Sequence, residues 1–448
     1  MLNKNAITSV IISLLLTGCG GGSGNDASPG NGSGNNNTTL TLQANVIQET
    51  QCGTTTSSPN AEILVHDQNW RIVSRHKANS AGQISAAITG ANTVNLSVIT
   101  FSTGAGAEFV VNSYAQHPVV DMGTIFVPGK TQQGCECRNT NVRVNSPNGA
   151  LSANDVQLTG FSSPELRKSS PAFNEVLFEQ VGLCRVANGS WPLLTAFANH
   201  GSANAIAGSI RQYNGNSEVS LTLDQNVLTI PVSVNSSSAS LLEGHFTETG
   251  TVNLRSRMNS NEAYVFNELD GVNYIMVRAS DTQFDVTDEG TVLRSASQRI
   301  NFLPPINDAV VLNIPTSDAM SALENFLVRD LPSDNFNYNL GAIPGFNTFY
   351  LYVQTTLTDG TRYFQSFIGP LQGQYPDEVA PADYGIDDKF DENIRATVAV
   401  SVIRYDENDS YQQYLLNQID RSKLPAAARA TGKWAKYSTV GIQVTAPN

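Results

Sequence analysis

The sequence predicts a mainly β protein, tandem β-sandwich domains with a few short helices. From Leu40 onward, short runs alternate apolar with polar residues and are rich in β-branched side chains, the period of half-buried strands. Gly, Asn, Asp and Pro break these runs at turn-like intervals, and no repeat of about 20–50 residues marks a propeller or solenoid. Charged residues are only 15% of the chain, as suits an exported surface of Ser, Thr, Asn and Gly.

Residues 1–5 carry one cation, Lys4, and residues 6–16 are apolar apart from Thr8, Ser9 and Ser13. That order is a secretory signal. At about eleven residues the apolar run falls short of the roughly 20 that span a bilayer. The stretch Leu16-Thr17-Gly18-Cys19 resembles the lipobox of bacterial lipoproteins. The resemblance implies a signal peptide over 1–18, cleavage before Cys19, acylation of Cys19, and a lipid bilayer as partner. Gly20 stands where an aspartate would signal inner-membrane retention, so the expected location is the outer membrane, lipid-anchored. Residues 19–39 then form a Gly/Ser/Asn tether, too polar to fold and reaching roughly 25 Å.

Residues 40–130 read as the first sandwich, with strands near 41–47, 62–66, 71–75, 83–88, 94–101, 108–112 and 123–127. The stretch "PNAEILVHDQNWRIVSRHKANSAGQISAAI" at 59–88, with "VNLSVITF" after it, resembles the carboxypeptidase-regulatory-like, transthyretin-like β-sandwich. The resemblance implies an accessory module without catalytic residues. Residues 138–235 read as a second β-rich domain, closed by "SLTLDQNVLTIPVSV" as a hairpin. Residues 236–448 read as C-terminal β-rich structure with two helices. One, over 316–329, places Met320, Leu323, Phe326 and Leu327 on one face after a Thr316 or Ser317 cap. The other, over 409–419, aligns Tyr411, Tyr414, Leu415 and Ile419.

Four cysteines besides Cys19 fit two disulfides in an oxidising compartment. Cys135 and Cys137 are one residue apart, so each reaches elsewhere; we expect Cys52–Cys135 and Cys137–Cys184. A thiolate site for copper(I) or zinc is the alternative, and no histidine or methionine cluster accompanies the cysteines.

The net charge of −13 argues against nucleic acid as a partner. His245 and Glu248 match an H-x-x-E zinc pair, yet no histidine follows to complete the three ligands of a catalytic site. The expected environment of "EGHFTETG" is a solvated strand or turn, and no bound zinc is expected. The nucleophile elbow G-x-S-x-G and the P-loop are absent. The densest acidic run is Asp377–Glu392, with seven carboxylates, and within it Asp383, Asp387, Asp388 and Asp391 are a candidate Ca²⁺ site, although the run does not have the spacing of an EF-hand. Tyr350, Tyr352, Tyr363 and Phe364 are stacking candidates for a sugar, weighed against strand core. The reading is a membrane-anchored, non-enzymatic envelope module for binding, adhesion or assembly, with a cell-surface protein or glycan as partner. An extracytoplasmic hydrolase of glycan or peptide, working through carboxylates, is the alternative, because such pairs leave no sequence trace.

Overall fold

The computed structural model describes residues 38–446 apart from 105, 148, 162–166, 199–204, 215–217, 248–249, 254–256, 259–260, 288–289, 317, 332–335, 377–379, 391–394, 406–409 and 425–427; the side chains of 250–253, 257–258 and 287 are also outside the description. The signal, Cys19 and the tether up to residue 37 thus lie outside the described residues, as do Glu248 and Asp391. Among the described residues no helix is long and apolar enough to cross a membrane. The protein is mainly β, with sandwiches in tandem.

In the first unit, Thr39–Thr50 pairs antiparallel with Thr55–Ser57 and Gln83–Thr89, and parallel with Asp121–Thr131. The facing sheet runs Ile72–Lys77, Ala61–His66, Thr93–Phe101, Glu108–Pro118. Strict alternation along Gln83–Thr89 puts Ile84, Ala86 and Ile88 into a core shared with Leu42, Ile63 and Leu96. The chain crosses between the sheets at Asn79–Gln83, where the Asn79 Oδ1 accepts the N–H groups of Ala81 and Gln83, both at 2.9 Å. Gly82 there has φ of 74°, and a Cβ would sit 2.3 Å from the Val46 carbonyl oxygen. Only glycine fits this crossing.

The second unit packs Arg167–Ala172, Glu175–Val186, Cys135–Asn145 and Val219–Thr222 against Val156–Thr159, Leu194–Ala198, Ile206–Ile210 and Gln225–Asn226. Here one expectation fails. Val219–Thr222 and Leu228–Val234 do not form a hairpin. The first lies parallel to Cys135–Asn145, and the second pairs with Glu262–Val265 and Val310–Leu312 in the next unit. Ile230 and Val232 are buried in that next core, so the boundary falls before Leu228 instead of at 235.

The third unit is completed by Ser240–Thr247, Val272–Thr287 and Gly290–Phe302. The C-terminal unit is a sheet of Arg362–Gly369, Thr348–Thr356, Ala396–Tyr405 and Lys436–Thr445 with a helix on each face. The helix Asp318–Asn325 and its continuation Phe326–Asp330 bury Leu323, Phe326 and Leu327 on one side. The helix Tyr411–Ser422 starts at Ser410, whose Oγ accepts the Gln413 N–H at 3.2 Å, and buries Tyr411, Tyr414 and Leu415 on the other.

The units are not beads on a string. Glu108–Pro118 of the first unit lies parallel to Arg362–Gly369, from Glu108 opposite Arg362 to Tyr114 opposite Ile368. Gly290–Phe302 of the third unit pairs along its length with Lys436–Thr445. The first, third and C-terminal units therefore share one thirteen-stranded sheet. Backbone ladders across both joints resist hinge motion far better than a flexible linker.

Two disulfides are present, Cys52–Cys135 and Cys137–Cys184. Cys137 and Cys184 face one another across adjacent strands of the second unit. Cys52 follows the spine strand of the first unit, so its bridge staples the first unit to the strand that opens the second. Thiol titration of the denatured, unreduced chain is expected to detect none of these four cysteines. A peptide map recovering free Cys52 or Cys184 would contradict it.

Candidate functional site

A cavity of about 680 Å³ opens where the first unit meets the C-terminal unit. Its walls come from the Asp67–Arg71 turn, from Asn95 and Gln116, and from Pro370 to Gln374. Asp67 shapes the turn, its Oδ1 accepting the N–H groups of Asn69 at 2.8 Å and Arg71 at 2.9 Å. Trp70 at the turn's end has φ of 61°, and Gln116 has φ of 51°. Both line the cavity, and both hold a left-handed conformation that non-glycine residues rarely adopt. The gain that holds Trp70 there is visible: its ring is 3% exposed, meets Phe367 edge-on at 5.7 Å, and its Nε1 donates to the Gln374 carbonyl at 2.8 Å.

Behind this wall lies an arrangement that no sequence motif signalled. His66 Nδ1 lies 2.9 Å from the Trp70 carbonyl oxygen, and Nε2 lies 2.9 Å from Ser97 Oγ, which is 2.8 Å from Ser113 Oγ. A carbonyl only accepts, so Nδ1 carries the proton, Nε2 accepts from the Ser97 hydroxyl, and Ser97 accepts from Ser113. This is the polarity of a nucleophile beside its base. Ser97 and Ser113 are, however, 3% and 1% exposed, and neither lines the cavity. Burial lowers the His66 pKa, favouring the neutral ring that the relay needs. The chain of bonds satisfies three buried polar side chains. Asp67 is the one carboxylate among the described lining residues, so the cavity lacks a carboxylate pair.

Strand parity separates the four aromatic candidates. Tyr363 points into the core and is 1% exposed. Tyr350, Tyr352 and Phe364 are half-buried on the opposite face of the sheet. The Tyr350 and Tyr352 rings are near parallel at 6.3 Å, Phe364 lies 6.4 Å from Tyr352, and the Tyr352 hydroxyl donates to Gln354 Oε1 at 3.0 Å. The helix Tyr411–Ser422 covers one end of this face, and the strand residues beyond it, Ser401, Ala399, Thr397, Gly441 and Gln443, are half-buried or exposed. Glu108 and Arg362, paired with each other, are the charged residues beside the aromatic row.

The remaining candidates do not come together. Asp383 is taken up by Arg75 at 2.7 Å, with Lys77 at 3.9 Å. Burial raises the Asp387 pKa, helped by the neighbouring Asp388 charge. No three His, Cys, Asp or Glu side chains converge as metal ligands among the described residues. His245 corrects the solvated environment expected for it: it is fully buried in Ser240–Thr247, where Nε2 accepts the Phe266 N–H at 3.3 Å. Both its neighbours in the alternation, Glu243 and Thr247, are buried too, because this face of the strand is covered. Burial pushes the His245 pKa down to about 4.

No family model matches the sequence, and no curated protein matches it. Among solved structures, a streptococcal ancillary pilin is similar at 9% identity with a TM-score of 0.12, over 62% of this chain and 99% of that one. The pilus adhesin SpaC from Lactobacillus rhamnosus GG, in its open conformation, is similar at 11% identity and TM-score 0.16, over 74% of this chain and 44% of the adhesin. Two B repeat units of the collagen binding protein of Staphylococcus aureus are similar at 8% identity and TM-score 0.13, over 74% and 85% of the two chains. TM-scores this low mean that the backbones do not superpose as one fold.

Proposed function

We propose that this chain is a non-enzymatic envelope module, held at the outer membrane through acylated Cys19, that binds a cell-surface glycan or protein on the open sheet face at Tyr350, Tyr352 and Phe364. One observation carries the reading: three units are fused by backbone ladders into a single sheet, and its open face presents aromatic and hydroxyl side chains with one ion pair beside the aromatic row. A rigid broad surface suits adhesion better than turnover, and aromatic rings carry much of the energy of such contacts. The closed Ser113–Ser97–His66 relay supports the same reading, since its hydroxyl has no room for a substrate.

The test displays the chain on cells and measures their retention on purified envelope polysaccharide and on envelope protein. Changing Tyr352 and Phe364 together to alanine is expected to lower retention by roughly tenfold at equal display, the scale of two lost aromatic contacts. Cys19→Ser should release the chain from the membrane and abolish retention of cells, while His66→Asn should leave it unchanged. Loss of function in a folded His66→Asn chain would instead favour a hydrolase.

A further inference from the structure

Many arginines sit on a carboxylate, as Arg75, Arg143, Arg185 and Arg294 do. Arg278 and Arg299 do not. They lie directly opposite one another on the antiparallel strands Val272–Thr287 and Gly290–Phe302. Cross-strand neighbours of this kind have Cβ atoms about 5 Å apart, and like charges so placed destabilise a sheet. In a chain with 39 acidic and 26 basic residues, no carboxylate among the described residues pairs with either.

The surroundings add positive charge. Tyr437 follows Arg299 across the next strand, and the guanidinium lies 4.6 Å from its ring centroid. Arg421, from the end of the helix Tyr411–Ser422, lies over Trp434 at 5.4 Å and donates to the Tyr405 hydroxyl at 3.2 Å. Residues 420–438, which hold these side chains, contain five Lys and Arg and the single acid Asp420. Arg299 Nε is buried and has no hydrogen-bond partner, which leaves a charge-bearing donor unsatisfied at a real cost. Arg278 is exposed at the surface, yet burial of its stem and the Arg299 charge both lower its pKa. Arg299 leans onto Tyr437, on the side of its strand away from Arg278, and neither guanidinium meets a carboxylate among the described residues, so both charges are open to an anion.

We infer that Arg278 and Arg299, backed by Arg421, form a binding site for a phosphate group. Charge and acceptor count select the class. A carboxylate has one charge and two oxygens, and one guanidinium fork satisfies it. A phosphate monoester carries about −1.5 to −2 at neutral pH and three terminal oxygens, enough to accept from both forks at once. Arg299 is level with Tyr437 and Tyr405, whereas Tyr352 stands opposite Ala399, six positions further along that strand, so the two sites share no residue.

The experiment uses the full-length Cys19→Ser chain, so that no acyl group inserts into membranes. Inorganic phosphate is titrated calorimetrically against a chloride control of equal ionic strength, and vesicles of phosphatidylcholine with and without phosphatidic acid are tested for retention. Binding of phosphate above chloride is expected, weakened at least roughly tenfold in Arg299→Gln and in Arg278→Gln. In chloride both variants should unfold at or above the parent midpoint, because the repulsion is gone, which separates loss of a site from loss of the fold. Retention on phosphatidic acid vesicles marks a lipid headgroup as the source; phosphate binding without retention marks a soluble phosphorylated ligand. Equal heats for phosphate and chloride, or a phosphate affinity that both variants keep, would overturn the inference.

Discussion

Acidification from pH 7 to pH 4 should cost this protein on the order of 6 kcal/mol of stability, most of it before its carboxylates begin to titrate. The largest contributions come from two buried neutral imidazoles, and His66, whose pKa burial also lowers, acts in the same direction. His245 is fully buried and His117 is 3% exposed; burial brings each pKa down to about 4 from an ordinary value of 6.5. The unfolded chain therefore binds protons near pH 6.5 that the folded chain refuses. Stability from both groups is complete above that value and is lost as the pH falls through the interval down to about 4. Each contributes about 3 kcal/mol, from a depression worth about 1.4 kcal/mol per pH unit. Glu62, 0% exposed and bonded to Arg75 at 2.8 Å, has a lowered pKa despite burial that opposes it, so its own acid limb begins only below 4.5. Denaturant unfolding between pH 8 and pH 4.5 reads the slope. In His245→Gln, where an amide oxygen can still accept the Phe266 N–H, the slope should fall by about half. An unchanged slope would place the acid sensitivity elsewhere.

Trp70→Ala should destabilise the chain by about 4 kcal/mol, the usual range for deleting a buried large aromatic. The ring belongs to a turn of the first unit but is buried with Tyr338, Phe349 and Phe367 of the C-terminal unit. Its loss opens a hole at the joint and removes the indole bond to Gln374. Trp70→Phe keeps most of the packing and loses that bond, so it should cost about 1–2 kcal/mol. Urea midpoints compared at constant slope give both values. A Trp70→Ala chain within about 1 kcal/mol of the parent would mean that the parallel ladder alone joins the units.

Much of the architecture was legible one strand at a time. The alternation at 83–88 and at 94–101 marks strands whose positions match Gln83–Thr89 and Thr93–Phe101, and the period of Tyr411, Tyr414 and Leu415 marks a helix that forms as expected. Cysteine spacing was enough to send Cys135 and Cys137 to different partners. These features are local: a side-chain period states which face is buried, and a one-residue spacing states what a bridge must avoid. The candidate sites were less legible. Parity was present in the sequence, yet only the assembled packing decides that Tyr352 stays half-buried while Tyr363 is enclosed by Phe109, Ile386 and Phe390. His245 sits in an ordinary polar-looking run and is buried because Glu262–Val265 and Phe266 cover it.

Partner choice between strands is what the sequence alone left open. Leu228–Val234 reads as strand from its own residues, but its partners lie beyond 260 and 310. Glu108–Pro118 meets Arg362–Gly369 across a separation of 254 residues, and Arg278 meets Arg299 only through the long hairpin register. The reason is physical. Every strand offers the same N–H and C=O groups along its edge, so the ladder does not discriminate among partners, whereas the fit of side chains in the assembled cores does. The sequence by itself determined that this protein is built of strands, which faces of those strands are apolar, and that its cysteines bridge. Tertiary structure decided that three units share one sheet, and that two arginines with no carboxylate partner among the described residues stand opposite each other on its neighbouring strands.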